Sequence, residues 1–233
     1  MRYIGGKTLL CDDIHNVIKN NTTDVKSIID IFAGSGAVSN YFKEQNFKIY
    51  TNDILYFSYA ISRGTINLNK EPLFKNLKIA DPIDYLNNLF FSETEFSLED
   101  CFIYKNYSPN ENCKRMYFSN ENAIKIDIIR ITIEKWYNEQ LINEDEYFYL
   151  LASLLLAVPF VSNITGTYGA YLKFWDKRAL KNIVLEKPKI ILSKMKSKSY
   201  NLDFVDCLNE VSADLLYADP HTIRDNIYPI IMY

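Results

Sequence analysis

Residues 27–36 have the sequence Ser-Ile-Ile-Asp-Ile-Phe-Ala-Gly-Ser-Gly, and this stretch decides the fold. Its first half is a short apolar run rich in β-branched residues, which is typical of a buried strand. The glycines predict a tight turn, and residues 37–44 have a helical pattern. A second strand (48–51) and a second helix (about 56–67) repeat the arrangement. Two successive strand–turn–helix units predict an α/β fold with a parallel sheet and crossover helices.

The glycine-rich turn predicts a ligand site, because the backbone at the start of a helix can approach a ligand closely. A phosphate-binding loop requires a Lys after its last Gly, and none follows Gly36. A dinucleotide-binding turn has a third Gly where this chain has Ser39. Asp30 and Asp53, at the ends of the two strands, instead suit a ligand that carries a cation and ribose hydroxyls. The pattern favours S-adenosylmethionine.

The rest of the chain is predicted to leave the sheet and return to it. The predicted elements are an irregular stretch (90–119), helices at 122–140 and 143–158, a loop (160–187), and strands at 202–205 and 214–219. Asn143 and Glu146 have the spacing of a helix-capping box. The longest apolar stretch, 147–161, is shorter than the ~20 residues that a membrane helix needs, so we expect a core helix there.

Composition indicates a globular protein of 233 residues, with 48% apolar and 24% charged residues. Four irregularly spaced Cys favour neither a disulfide framework nor a zinc site, so we expect a reducing cytoplasm, with no secretion signal and no membrane association. The net charge is −3, but residues 173–198 hold nine Lys/Arg against two acidic residues. This basic run is typical of a surface that contacts nucleic-acid phosphates.

Four blocks of sequence carry a family resemblance over residues 1–220. They are Arg2-Tyr-Ile-Gly-Gly-Lys7; Asp30 to Gly36 with Asn52-Asp53; Asn106-Tyr-Ser-Pro109 with 122–129 and 163–173; and Asp219-Pro220. In this order, the blocks resemble the motifs of the Dam-like adenine-specific DNA methyltransferases. The resemblance implies methyl transfer from S-adenosylmethionine to the 6-amino group of adenine in DNA. It also implies two partners, double-stranded DNA and a cognate restriction endonuclease.

Residue roles follow from the same resemblance. The implied cofactor-binding residues are Tyr3, Lys7, Asp30, Phe32, Ala33, Gly34, Ser35, Gly36, Asp53 and Asp219. The implied catalytic residues are Asp219 and Pro220, whose carboxylate and carbonyl accept hydrogen bonds from the adenine amino group. Candidate DNA contacts are Tyr168, Tyr171, Lys173, Lys177 and Arg178, although core packing explains the two tyrosines equally well.

The implied fold is a Rossmann-like methyltransferase sheet, incomplete in its C-terminal half, with an inserted and mostly helical target-recognition domain. We expect residues 1–89 to form the cofactor-binding part of the core and 90–198 the recognition insertion. Residues 199–220 return to the core with the catalytic strand, and 221–233 form an aberrant tail.

The match breaks after Asp219-Pro220, where the family's second Pro and its Tyr are absent and His221 follows. One base lost from a cytosine run after the Asp219 codon explains this, because restoring it gives Asp-Pro-Pro-Tyr and a family-like continuation. A divergent C-terminus is the alternative. The frameshift hypothesis predicts an unpaired strand at Asp219 and little or no methyl transfer, which an assay for adenine methylation can test.

Two other function classes stay open. One is a non-catalytic DNA- or cofactor-binding fragment that works with a partner chain, which cofactor titration and gel filtration together can separate from an enzyme. The other is a methyltransferase for RNA or a small molecule, which the large basic insertion disfavours.

Overall fold

The computed structural model describes residues 7–165 and 169–220, and the backbone of 230–232. The chain divides into two compact units. One comprises residues 72–188, and the other comprises residues 7–71 together with the described residues from 189 onward. The predicted role of residues 90–198 in target recognition stays a prediction.

The sheet unit contains the predicted strand–turn–helix repeats. Its elements are α1 (Cys11–Asn21), β1 (Ser27–Asp30), α2 (Ala37–Glu44), β2 (Lys48–Asn52), α3 (Tyr56–Thr65), β3 (Lys198–Tyr200), α8 (Phe204–Glu210), β4 (Leu215–Ala218) and β5 (Ile230–Met232). The strand order is β3-β2-β1-β4-β5, and the first four strands are mutually parallel. The predicted α/β fold with a parallel sheet is therefore confirmed.

The predicted strand at 202–205 is wrong, because the strand β3 lies earlier, at 198–200, and residues 204–210 form the helix α8. The Asp203 side chain accepts a hydrogen bond from the Val205 backbone N–H and caps this helix. β3 lies at the sheet edge and is polar. Its Ser199 hydroxyl is held by Thr51 of β2 and by Asn67, at 2.7 Å each. An apolar pattern could not reveal such a strand.

The expectation of an unpaired strand before Asp219 is also wrong. β5 pairs antiparallel with β4, with Leu216 opposite Met232 and Ala218 opposite Ile230. β4 therefore has a partner on each side, β1 and β5. The sheet thus combines four parallel strands with one antiparallel edge strand.

Alternation along the central strands supplies two apolar faces. Ile28 belongs to a buried cluster with Val38 and Phe42 of α2 and Ile18 of α1. Its neighbour Ile29 belongs to a second buried cluster, which includes Cys207 of α8. The sheet is consequently covered on both faces, as parallel sheets require.

A fully buried lysine links α2 to the chain that follows α3. The Lys43 ammonium donates hydrogen bonds to the carbonyls of Ile66 and Leu68, at 2.6 Å each. Burial lowers the pKa of Lys43 to about 8. These contacts satisfy carbonyl groups at the end of α3 and fix that helix beside the glycine turn.

The described residues of the helical unit form four α-helices, which are α4 (Pro82–Asn88), α5 (Phe102–Tyr107), α6 (Asn120–Asn138) and α7 (Glu144–Ala157). α6 and α7 are the two predicted helices, shifted by one or two residues at their ends. The capping box is confirmed, because Asn143 accepts from the Glu146 backbone N–H while Glu146 accepts from that of Asn143. Among the described residues, no helix has both the length and the apolar character that crossing a membrane requires.

Candidate cofactor and catalytic site

Three aspartates mark the carboxyl ends of adjacent parallel strands. Asp30 ends β1, Asp53 follows β2 and Asp219 follows β4. In the order β2-β1-β4, the chain leaves β1 on one side and returns on the other, so this edge is a topological switch point. Ligands of open α/β sheets bind in the crevice at such a point. The topology thus brings the three predicted acidic residues to one edge.

The turn between β1 and α2 requires its two glycines. Gly34 has a φ of 52° and Gly36 a φ of 72°, which are left-handed values that other residues adopt only with strain. A Cβ at Gly36 would lie 3.0 Å from the Ile66 Cδ1 atom. The Gly36 N–H closes the turn on the Ala33 carbonyl at 2.8 Å. A side chain at Gly36 would therefore distort the turn before α2 begins.

Asp53 holds this turn in place. One carboxylate oxygen accepts from the Gly34 backbone N–H at 2.8 Å, and the other accepts from the Leu55 backbone N–H at 2.9 Å. The side chain is buried, yet each carboxylate oxygen keeps a further lone pair for a ligand hydroxyl. Asp53 thus has a structural role in addition to the predicted ribose contact.

Asp30 is a buried carboxyl group with one side-chain donor, the Ser39 hydroxyl at 2.6 Å. Burial, opposed by the Ser39 hydrogen bonds and assisted by the negative charges of Asp53 and Asp219, raises the pKa of Asp30 to about 7. This coupling places the three carboxyl groups within electrostatic reach of one another. Such a cluster is favourable for a cationic ligand.

The predicted catalytic carboxylate has a cationic neighbour. The Lys7 ammonium lies 2.9 Å from an Asp219 carboxylate oxygen, and both side chains are partly exposed. Pro220 follows directly, so its carbonyl lies one residue from the carboxylate. Burial raises the pKa of Tyr217, two residues earlier, and the charges of Asp219 and Asp30 add to that effect.

The other predicted cofactor residues line the same turn. The Ala33 N–H donates to the Asn52 carbonyl at 2.9 Å, which ties the turn to β2. The Phe32 ring is half-buried and packs against Phe204, with ring centroids 5.8 Å apart. Ser35 lies half-buried at the tip of the turn. Tyr3 lies outside the described residues.

The candidate DNA contacts belong to the helical unit. The Tyr171 backbone pairs with Ile164, and its half-buried ring packs against Tyr117 with centroids 5.0 Å apart. Lys173 and Lys177 are exposed. Arg178 is also exposed, but its guanidinium is bound by Asp176 at 2.6 Å. Tyr168 lies outside the described residues.

Sequence reasoning missed two residues that shape the site. Ser39 supplies the side-chain hydrogen bond to Asp30, and it follows that residue by nine positions on α2. The Asn52 amide donates to the Ile31 and Leu202 carbonyls and accepts from the Leu202 N–H, so it joins β1, β2 and the segment after β3. The predicted strand ends at Thr51, whereas the strand β2 includes Asn52, and the partners of Asn52 are backbone atoms that no sequence pattern marks.

Comparison with known proteins connects this geometry to one family. The sequence model of the D12 class N6 adenine-specific DNA methyltransferases matches residues 3–221. The type II methyltransferase M.FokI of Planomicrobium okeanokoites is 47% identical over 224 residues, which cover 94% of this chain and 34% of that protein. The modification methylase StsI of Streptococcus sanguinis is 41% identical over 96% of this chain and 34% of that protein.

A third relative is shorter. The type II methyltransferase M.NlaIII of Neisseria lactamica is 34% identical over 94% of this chain and 64% of its own length. The chain therefore spans about a third of the length of the first two relatives and just under two thirds of the third.

Proposed function

The chain belongs to the D12 class of N6 adenine-specific DNA methyltransferases, and we propose that it transfers a methyl group from S-adenosylmethionine to the 6-amino group of adenine in DNA. The observation that carries this proposal is the convergence of Asp30, Asp53 and Asp219 on the glycine turn at the switch point of the sheet. The family match agrees with it over nearly the whole chain.

The residues present fit the proposed cofactor. S-adenosylmethionine carries a cationic amino-acid part and two ribose hydroxyls, and when bound it supplies an electrophilic methyl group. The buried carboxylate of Asp30 suits the cationic part, because a charge-assisted contact offsets the cost of ionising a buried acid. Asp53 keeps free lone pairs for the ribose hydroxyls, and the left-handed backbone of Gly34 and Gly36 forms the turn that Asp53 holds.

Asp219 and Pro220 are the residues that we assign to contact the target adenine. We assign the Asp219 carboxylate and the Pro220 carbonyl as acceptors of the two hydrogens of the adenine amino group. Two accepted hydrogen bonds orient the nitrogen lone pair toward the methyl donor. Lys7 holds the Asp219 carboxylate in one orientation through its 2.9 Å ion pair. The ion pair therefore presets the acceptor before the base enters.

Duplex DNA is the proposed substrate, so the adenine must leave the base stack to reach the carboxylate. The helical unit carries the candidate contacts Tyr168, Tyr171, Lys173, Lys177 and Arg178. We assign the target-recognition role to residues 90–198, most of which belong to the helical unit, and the catalytic core to residues 1–89 and 199–220. The relatives are named type II methyltransferases and modification methylases, which supports a restriction–modification system with a cognate endonuclease as partner.

Two measurements on the purified chain test the proposal. Calorimetric titration with S-adenosylmethionine should give binding that weakens about tenfold or more in Asp53→Ala, because the carboxylate contacts both the turn and the ribose. Incubation with unmethylated duplex DNA, followed by nucleoside mass spectrometry, tests methyl transfer and the frameshift hypothesis together. 6-Methyladenine that disappears in Asp219→Ala supports the transfer and contradicts the inactivity that the frameshift hypothesis predicts. A chain that binds the cofactor but forms no 6-methyladenine supports the frameshift hypothesis. Cofactor binding that is indifferent to Asp53, or a methylated cytosine as the product, contradicts the assignment.

A further inference from the structure

Two loops of the helical unit are joined through their backbones. The first loop, residues 107–118, is closed at its base because the Tyr107 carbonyl accepts from the N–H groups of both Tyr117 and Phe118, at 3.1 Å each. The second loop, of which residues 163–165 and 169–178 are described, begins where the Asn163 N–H donates to the Tyr117 carbonyl at 2.8 Å. The first loop therefore ends against the start of the second.

The Asn163 side chain strengthens this junction. It is fully buried, and its amide nitrogen lies within hydrogen-bond distance of three carbonyls, while its oxygen accepts one N–H. The carbonyls are those of Met116 at 3.0 Å, Leu172 at 3.0 Å and Phe174 at 3.1 Å, and the N–H is that of Asp176 at 3.0 Å. One side chain thus contacts the backbone of both loops.

Aromatic rings also connect the two loops. The Tyr117 ring packs against Tyr107 with centroids 5.6 Å apart and against Tyr171 of the second loop at 5.0 Å. The Arg115 guanidinium lies 6.0 Å from the Tyr107 ring centroid and donates to the Asn106 carbonyl at 3.3 Å. All three tyrosines are half-buried, so the rings both pack together and remain partly accessible.

The two loops differ from the rest of the helical unit in net charge. Together they hold five Lys/Arg against two acidic residues, a net charge of +3. The remainder of residues 72–188 holds eight Lys/Arg against fourteen acidic residues, a net charge of −6. Lys114 and Arg115 of the first loop are exposed, as are Lys173 and Lys177 of the second. A cationic surface on an otherwise acidic unit is complementary to a polyanion.

We propose that the two joined loops form one DNA-contacting surface, in which Lys114 and Arg115 contact phosphates and Asn163 is the positioning residue that sets the register of the second loop. This inference rests on the proposed function, since it takes DNA as the substrate. It adds the first loop to the candidate contacts and gives Asn163 a role in sequence preference through the backbone that it holds.

The phosphate contacts are tested by the salt dependence of DNA binding. A fluorescent mixed-sequence duplex of 30 base pairs serves as the probe, and the slope of log affinity against log salt is measured for the intact chain and for the double variant Lys114→Ala/Arg115→Ala. Two lost contacts should reduce that slope by about 1.8. The matched control is Lys75→Ala/Lys78→Ala, which removes the same charge from exposed positions of the same unit outside the loops. An unchanged slope, or an equal reduction in the control, overturns the role of the first loop.

The positioning role is tested by sequence preference. Duplexes bound from a random pool are sequenced, and enrichment is compared for Asn163→Ala and Asn122→Ala. Asn122 is a matched control because its buried amide also binds backbone, at Ala179, Lys181 and Ile183, outside the paired loops. Both variants should melt at lower temperature, but only Asn163→Ala should lose enrichment, by about tenfold. If the Asn163→Ala variant does not fold, Asn163→Ser is measured in its place. Enrichment that survives in the Asn163 variant, or falls equally in both, overturns the role.

A measurement of cofactor binding distinguishes failure of this inference from failure of the proposed function. A chain that binds S-adenosylmethionine but enriches no DNA sequence refutes the two-loop surface and leaves the cofactor site standing. A chain that binds no S-adenosylmethionine refutes the proposed function whatever its behaviour toward DNA.

Discussion

The glycine turn after β1 and the second loop of the helical unit are both irregular segments held by one buried side chain, but the chemistry of that side chain differs. Asp53 accepts hydrogen bonds from two backbone N–H groups. The amide nitrogen of Asn163 lies within hydrogen-bond distance of three carbonyls, and its oxygen accepts from one N–H. The difference follows from which backbone groups each segment leaves unpaired, because buried backbone groups must find partners.

This difference has a functional consequence. A carboxylate that stabilises a turn also brings charge and spare lone pairs to the site, so the same side chain can serve a ligand. An amide completes its hydrogen bonds within the protein and leaves no charge behind. We therefore expect the cofactor site to respond to pH and the second loop to be insensitive to it.

We expect the largest effect on stability when the Asn163 side-chain amide is replaced by a carboxylate. Asn163→Asp should destabilise the protein by about 4 kcal/mol at pH 8, because it leaves a buried charge facing three carbonyl oxygens. Part of the loss should return at pH 5, where the carboxyl group takes up a proton. Urea unfolding at both pH values measures this. Asn106→Asp, at a half-buried site whose side chain makes one local hydrogen bond, should stay within about 0.5 kcal/mol of the original chain.

Removing the charge of Asp30 should stabilise the fold. Its pKa is about 7 in the folded protein and 3.8 ordinarily, so the folded state binds more protons between these values and its stability falls as pH rises through them. Asp30→Asn abolishes that loss and keeps an acceptor for Ser39. We expect a gain of about 2 kcal/mol at pH 8 and almost none at pH 4. Cofactor affinity should fall. Equal effects at both pH values would contradict the burial argument.

The reciprocal exchange at Asp53 should have a smaller effect on stability. In Asp53→Asn the amide oxygen can still accept from Gly34 or Leu55, but the amide nitrogen then faces the other N–H. We expect a loss of about 1–1.5 kcal/mol in urea unfolding, with cofactor binding weakened about tenfold. Asp24→Asn removes the same charge at an exposed position and should change neither quantity. A stability loss without weaker cofactor binding would show that Asp53 serves only the turn.

Sequence reasoning predicted that the three acidic residues of the candidate cofactor site lie together, because their positions follow a simple rule. An acid directly after an apolar run lies at the carboxyl end of a strand, and parallel strands bring those ends together, which holds for Asp30, Asp53 and Asp219. β3 escaped prediction because an edge strand held by Ser199 hydrogen bonds has no apolar signature. The helix α5 was likewise missed, since it is short and lies in a stretch without clear periodicity.

The hydrogen bonds of the Asn163 side-chain amide could not be predicted, for a different reason. Asn163 binds carbonyls of Met116 and Phe174, which are far apart in sequence and carry no information in their side chains. Because every residue has a backbone carbonyl, the sequence does not show which residues a side chain such as Asn163 binds. The second loop could be assigned to recognition by resemblance, but the first loop became visible as its neighbour only from these contacts.

The smallest predicted effect separates burial from hydrogen bonding at Asp30. Ser39→Ala removes the hydroxyl that stabilises the ionised carboxylate, so the pKa of Asp30 should rise further above its present value of about 7. Because the cationic cofactor favours the ionised form, the pH of half-maximal cofactor binding should move up by about one unit. Titrations across pH 6–9 measure the shift. Ser58→Ala is the matched control, since it truncates a buried hydroxyl with no hydrogen-bond partner among the described residues. If the control shifts as much as Ser39→Ala, the pH dependence comes from packing. If only Ser39→Ala shifts, the ionisation of Asp30 depends on the hydrogen bond from the Ser39 hydroxyl of α2.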